Sequence, residues 1–295
     1  YKVTEVSTVS NEALGVRVLK GKQIFYNASD ARMTRDGYIS CVSCHAGGNS
    51  DGRVWDLTDR GEGLRNTISL LGHSGVGLGN VHWTANFDEI HDFENDIRTA
   101  FGGVGFLSDS LFQSTSDPLG RPKAGLSVGL DDLSLYVSSL NKFQLSPFRQ
   151  QDGSLTLQGV EGERIFSIRG CVDCHNGGAY TDSKRHDVGT IDASSGTGIG
   201  LSLADVGFKT PVLISLWDSA PYFHNGKAAT LADVLQMEGV HYVEDEGERE
   251  QLTAFLKQVE YVESPFRGDR VGRSGGGLDW MGLIVLFLLS AGRRA

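Results

Sequence analysis

Apolar residues fall at helical spacing in two places far apart in the chain. Leu133, Tyr136, Val137 and Leu140 make one such face, and Leu252, Phe255, Leu256 and Val259 make the other. The spacing predicts two amphipathic helices, each closing a segment. After each comes the same tetrapeptide, Ser146-Pro147-Phe148-Arg149 and Ser264-Pro265-Phe266-Arg267, whose proline is expected to stop the helix. An opening helix is expected over 15–25, with Val18, Ile24 and Phe25 as apolar positions. Its core, Gly21-Lys22-Gln23-Ile24-Phe25, recurs as Gly162-Glu163-Arg164-Ile165-Phe166. Two elements repeated in the same order mark an internal duplication. A polar lead-in over 1–14 precedes a first domain at 15–149, and a linker over 150–157 leads to a second domain at 155–267. Further helices are expected over 88–98, with Glu89 and Glu94 on a polar face, and over 231–237. Strand signals are weak throughout.

Between the opening and closing helices of each half lies Cys41-Val42-Ser43-Cys44-His45 or Cys171-Val172-Asp173-Cys174-His175. C-x-x-C-H is the attachment signature of a c-type haem. The cysteines Cys41, Cys44, Cys171 and Cys174 add across the haem vinyl groups, and His45 and His175 ligate the iron. These motifs use all 4 cysteines of the chain. A disulfide pair or a redox C-x-x-C leaves the following histidines unexplained. The expected fold is therefore mostly α: two tandem cytochrome c-like haem domains with long Gly-rich loops.

Composition sharpens this only slightly. There are 295 residues, 39 of them Gly and only 6 Pro, which suits loops wrapped around flat haems. The net charge of −10 argues against nucleic acid as a partner and suits a basic redox protein. Covalent haem attachment takes place outside the bacterial cytoplasm, so the chain is expected to be exported. Tyr1-Lys2-Val3-Thr4 is ordinary polar sequence; either a leader has been removed or this is the C-terminal part of a longer polypeptide. The end is different. Gly275-Gly276-Gly277 leads into an apolar run over 280–291 and then Arg293-Arg294. At ~12 residues the run is short of the ~20 a spanning helix needs. It reads as a buried terminal helix or as a sorting tail over 275–295. It resembles the GlyGly-CTERM signal of Gram-negative bacteria, which implies processing near 275–277, delivery to the periplasm or outer cell surface, and membrane contact through the tail alone.

Over about 15–267 the chain resembles the bacterial di-haem cytochrome c peroxidase and MauG superfamily. The marker is Thr210-Pro211-Val212-Leu213, then Ala220-Pro221-Tyr222-Phe223-His224-Asn225-Gly226, then Ala229-Thr230-Leu231. Asn225 stands where the family commonly has Asp. A degenerate copy, Arg65-Asn66-Thr67-Ile68 then His82-Trp83 then Asp88-Glu89, lies in the first half. The resemblance implies one electron-transfer haem, one haem that meets hydrogen peroxide, and a Trp between them. Trp83 matches that Trp by its place in the copy; the alternative is a buried aromatic. The family's catalytic carboxylate has no match in Thr99-Ala100-Phe101-Gly102-Gly103-Val104-Gly105, and 52–60 holds no counterpart of its removable distal His. Family members often hold calcium between the domains. Asn80 and Thr84 offer oxygens here, without a calcium-loop pattern.

For the sixth iron position of the first haem, His82 is the leading candidate and His73 the second; His91 is expected to be exposed and Met33 is a poor candidate. For the second haem, the family takes its ligand after the A-T-L helix, where Met237 and His241 fall. His241, freed by Gly239, leads, and Met237 is expected on the helix's apolar side. His224 is expected to fix its loop near the haem edge. Three functions remain open. The first is a di-haem oxidoreductase that reduces peroxide with electrons from a redox partner, such as another cytochrome. The second is a surface electron-transfer cytochrome with both irons six-coordinate. The third is a non-catalytic haem module ending a larger surface protein.

Overall fold

A computed structural model describes residues 11–196, 203 and 206–261. The first ten residues of the lead-in, the Ser264-Pro265-Phe266-Arg267 repeat and the apolar tail lie outside the described residues. The stretch through Glu263 forms one compact unit holding both halves of the duplication.

In the first half α1 (Val16–Tyr26) crosses α4 (Val128–Ser139), and in the second α5 (Leu157–Ile168) crosses α7 (Glu246–Leu256). The repeated glycine explains both crossings. A Cβ on Gly21 would sit 1.8 Å from the Asp132 carbonyl oxygen, and one on Gly162 would sit 2.0 Å from that of Gln251. Only hydrogen fits there, so backbones meet directly. One turn on, the repeated Phe fills the wedge between the helices. Phe25 lies 5.1 Å edge-on to Tyr136, and Phe166 lies 5.3 Å from Phe255. Hydroxyl and carboxylate caps set several starts: Ser127 accepts from Leu130 N, Thr156 from Gly159 N, and Asp245 from Glu248 N.

We expect Gly162→Ala to destabilise the protein by about 1–3 kcal/mol, because overpacking against backbone outweighs the ~1 kcal/mol helix-propensity gain. Urea unfolding measures this; a stabilised variant would refute the direct crossing.

The closing helices stop before the repeated proline acts. α4 ends at Ser139 and α7 at Leu256. The Leu140 carbonyl turns away to accept from Gly72 N at 2.8 Å, so a tertiary bond, not Pro147, ends α4. The helix expected over 88–98 is also shortened. A 3-10 turn at Ile90–Asp92 precedes α2 (Phe93–Thr99), because the Asp92 carboxylate accepts from the Asp88 and Glu89 amides. Neither acid lies on a solvated face. Glu94 is fully buried and accepts from Arg98 and the Phe106 and Leu107 amides, while Glu89 accepts from the Lys123 and Ala124 amides. His91 is buried rather than exposed, with Nε2 3.0 Å from Asp131. Met33 is a core residue beside Ile97 and Leu130. A short helix, α3 (Asp109–Ser114), follows α2.

Two two-stranded antiparallel sheets complete the described residues. β1 (Val54–Leu57) pairs β2 (Gly63–Asn66) with Val54 opposite Asn66, and β3 (Arg185–His186) pairs β4 (Phe208–Lys209) with His186 opposite Phe208. Each second strand runs toward a tight turn closed by a bridge, Val81 to Phe87 in one half and Tyr222 to Ala228 in the other. The turns cross-pair. Asn66 N donates to His224 O, and Lys209 N donates to Trp83 O. Equivalent residues of the repeat thus bond reciprocally across a pseudo-two-fold axis. Phe143 and Tyr261, each three residues before a repeated serine, stack 6.0 Å apart.

Candidate functional site

Each C-x-x-C-H segment folds as the same 3-10 turn, Cys41–Ser43 and Cys171–Asp173. The histidine amide closes it onto the first cysteine carbonyl, at 3.0 Å for His45 and 2.9 Å for His175. None of the four cysteines is paired in a disulfide. Burial pushes the Cys41 and Cys44 thiols up to about 12, and also raises Cys171 and Cys174. Burial also holds His45 and His175 down to about 4, so both imidazoles are neutral and able to ligate. His175 Nδ1 lies 3.1 Å from the Tyr180 carbonyl, the partner that fixes the tautomer and leaves Nε2 for a metal. These features fit one covalent c-type haem on each motif.

Around the first motif, His73 and His82 both come close enough to His45 to affect its pKa or be affected by it. Their surroundings differ. Burial, Lys209 and His45 hold His73 at about 4, and its ring lies 6.0 Å from Phe143. His82 has φ +69°, a left-handed conformation that non-glycine residues keep where tertiary contacts impose it. It is wedged 4.4 Å from Phe87 and 5.0 Å from Phe93. Its Nδ1 is 2.8 Å from Asn86 Oδ1, and its Nε2 is 3.9 Å from Asp96 Oδ2. Asp96 is buried and paired with Arg60 by a short contact. Its charge also raises the Cys41 thiol, so it stands near the attachment point. Behind Asn86 lies Glu62, which accepts its amide at 3.1 Å and pairs with Arg65. Sequence reasoning missed Asp96, Arg60 and Glu62. Arg60 and Asp96 are 36 residues apart, and no periodicity joins them.

Around the second motif, His241 faces His175 with ring centres 6.5 Å apart. Two imidazoles on opposite sides of one metal, each at about 2 Å, place their ring centres roughly 6 Å apart. Met237 caps α6 (Leu231–Gln236) at its C-terminus and, with His241 and Phe223, lines a cavity of about 190 Å³. It therefore leaves the apolar side of the helix and lies on the cavity wall. Cys174, Asp182 and His186 also converge within 4.8 Å. With Cys174 bound to haem as a thioether, the remaining pair is an ordinary His186–Asp182 contact at 2.7 Å.

Trp83 sits where the halves meet. Its Nε1 donates to Asn66 O at 2.9 Å, and its ring meets Phe208 and His224 edge-on, each at 6.5 Å. His224 is its repeat equivalent. It is buried, stacked 3.9 Å from Phe208 and bonded through Nε2 to Ser195 Oγ at 2.8 Å. Asn225 donates to Asp192 at 3.1 Å, so the acid common in the family's turn would here meet a carboxylate. Asn80 and Thr84 do not form a calcium site: the Asn80 carbonyl accepts from the Lys209 ammonium at 2.7 Å, which repels a cation. Burial lowers Lys209 to about 8. The unpartnered buried amide oxygen at the junction is Asn66 Oδ1.

A family model described as RoxA-like, cytochrome c-like matches residues 207–239. The chain is 29% identical over 258 residues to hydrazine synthase subunit gamma of Kuenenia stuttgartiensis, covering 71% of this chain and 67% of the relative. It is 25% identical over 275 residues to the methylamine utilization protein MauG of Methylophilus methylotrophus, covering 85% and 79%. It is 24% identical over 281 residues to the cytochrome c551 peroxidase of Nitrosomonas europaea, covering 84% and 80%. In fold it is similar to a hydrazine synthase chain of K. stuttgartiensis (TM-score 0.56, 24% identity, 88% of this chain and 99% of that one). It is also similar to the diheme peroxidase BthA of Burkholderia thailandensis (TM-score 0.57, 13% identity, 82% and 85%). Together with the duplicated haem motif, these matches make MauG and the cytochrome c551 peroxidases, proteins of the di-haem peroxidase superfamily, homologues of this chain.

Proposed function

We propose that the chain is an exported di-haem oxidoreductase that reduces hydrogen peroxide at the haem of Cys41, Cys44 and His45. The haem of Cys171, Cys174 and His175 is its electron-transfer centre. The observation that carries this division is the unequal surroundings of the two motif histidines. His241 stands at sandwich distance from His175. His82, one of the two histidines close to the first site, is instead tied to Asn86 and set beside an acid. When bound, each haem supplies one-electron redox chemistry and, where its sixth position is open, a site for peroxide.

The remaining work falls to side chains. Asp96 Oδ2 exchanges the proton that peroxide cleavage needs, and Arg60 holds the carboxylate in place. Asn86 fixes the His82 ring from the far side. Trp83, between the halves and edge-on to His224, carries electrons across the junction. The acidic chain takes them from a basic redox protein, such as a small cytochrome.

A second reading makes both irons six-coordinate, with His82 ligating the first; the proximity of His82 to His45 favours it. Low-temperature EPR of the oxidised and half-reduced holoprotein separates the two. A high-spin iron that peroxide converts supports the peroxidase. Two low-spin irons that ignore peroxide would make the chain an electron-transfer cytochrome. In His241→Ala the second iron should become high-spin while Met237→Ala leaves it low-spin; the reverse pattern would reassign the ligand to Met237.

A further inference from the structure

The two haem halves cross their helices alike, but the first carries two phenols at the crossing where the second has none. Gly21 corresponds to Gly162, Phe25 to Phe166, and Tyr136 to Phe255; Tyr26 corresponds to Ser167. The packing is conserved, with Phe25–Tyr136 at 5.1 Å and Phe166–Phe255 at 5.3 Å. A phenylalanine therefore satisfies the packing of this position, as it does in the second half. At this position the phenol of Tyr136 gives the first half, the half read above as the peroxide site, an oxidisable group where the second half has Phe255.

That group has a neighbour on each side. Inward, Cys41 packs against the core cluster that contains Phe25 and Tyr136. Outward, the Tyr26 ring lies 6.4 Å from the Tyr136 ring, with their planes at 65°. Tyr136 is 5% exposed and Tyr26, the last residue of α1, is 41% exposed. Burial first, then the Tyr26 phenol and the Cys41 sulfur, push the Tyr136 hydroxyl well above its ordinary pKa, so both neighbours are close enough to act on it. A haem attachment point, a buried phenol and a surface phenol thus stand in sequence.

We propose that Tyr136 and Tyr26 form a relay carrying oxidising equivalents from the first haem pocket to the protein surface. It rests on the peroxidase reading of the first site. It acts when peroxide arrives and no external donor is present. The O–O bond breaks as peroxide takes up two electrons and two protons, giving two waters. The first electron leaves the molecule's own Tyr26 phenol with its proton, and Tyr136 passes it inward; that phenoxyl is refilled, electron and proton together, from the Tyr26 phenol of a second molecule, and then gives up the second electron by the same route. Two Tyr26 phenoxyls, from two molecules, then join through a ring carbon–carbon bond. One peroxide and two phenols thereby become two waters and one dityrosine. The relay spares the haem pocket from oxidising itself, and it offers a surface point at which a phenolic or tyrosine-bearing partner is oxidised without entering the site.

The test treats the oxidised holoprotein with hydrogen peroxide and no donor. Rapid-freeze EPR, dityrosine fluorescence and peptide mass spectrometry are the readouts. A tyrosyl radical and a Tyr26 cross-link are expected. Tyr136→Phe, which the second half shows to be compatible with this packing, should reduce Tyr26 modification several-fold while peroxide still converts the haem spectrum. Tyr26→Phe should abolish the cross-link. Modification that follows exposure instead, with Tyr38 at 74% marked first and Tyr136→Phe without effect, would overturn the relay and leave the peroxidase standing. A haem spectrum that ignores peroxide would overturn both.

Discussion

Asp96→Asn is expected to slow peroxide reduction by about 10²–10⁴-fold, the usual contribution of a positioned acid–base group. The carboxylate stands at the Nε2 end of the His82 ring, opposite Asn86. It is 3% exposed, 3.9 Å from His82 Nε2 and salt-bridged to Arg60. Asparagine keeps the shape and a hydrogen-bond acceptor for Arg60 but cannot exchange a proton. The loss should therefore fall on kcat and flatten the pH profile, with KM and haem content little changed. Asp96→Glu should recover part of the rate, because it restores the proton-exchanging group at slightly longer reach. An unchanged kcat in Asp96→Asn, with the fold intact by thermal unfolding, would remove Asp96 from the reaction.

Lys123→Met is expected to cost about 3–5 kcal/mol of stability, because it leaves a buried charge without its partner. Lys123 is fully buried, and its ammonium lies 2.6 Å from Asp92 Oδ1, itself 1% exposed. Asp92 also accepts the Asp88 and Glu89 amides and so shapes the entry to α2. Burial raises the Asp92 carboxyl above its ordinary 3.8, and Lys123 opposes that rise. In the variant the opposition is gone and the folded pKa climbs further. A carboxyl with a raised folded pKa holds its proton more tightly in the folded state, so stability falls as pH rises from 3.8 through that folded value. The difference between variant and wild type should be smallest in acid and reach its full size near neutrality. Chemical denaturation at several pH values measures it. A pH-independent difference would mean that Asp92 is neutral in both proteins.

Much of this molecule was legible before its structure. The motif histidines, the duplicated helix pair and the tandem cytochrome order follow from local signals: fixed cysteine spacing, a repeated glycine, apolar residues at helical period. The repeated glycine marks the duplication, and its use in a backbone-to-backbone crossing shows only in the fold. The misreadings share one cause. Polarity alone places Glu89, Glu94 and His91 on a solvated face, yet Glu94 and His91 are buried and Glu89 is half-buried, each with a partner from elsewhere in the first half. Burial of a polar residue depends on who satisfies it, and that partner is set by tertiary folding. Asp96 is the same case at the functional site. The stretch 99–105, where the family's catalytic acid is usual, holds no acid, while the acid brought beside His82 lies earlier on α2, made conspicuous only by Arg60.

The reciprocal pairing of the two turns also bears on how such a molecule came to have unlike halves. When two identical chains meet on a two-fold axis, each residue near the axis faces its own copy, and no change can be made on one side alone. Joining the copies into one polypeptide lifts that constraint. Trp83 can differ from His224, Phe143 from Tyr261, and Tyr136 from Phe255, although each pair occupies one ancestral position. Gene fusion, on this view, is what frees one half to differ from the other, as the proposed division of labour between the two haems requires.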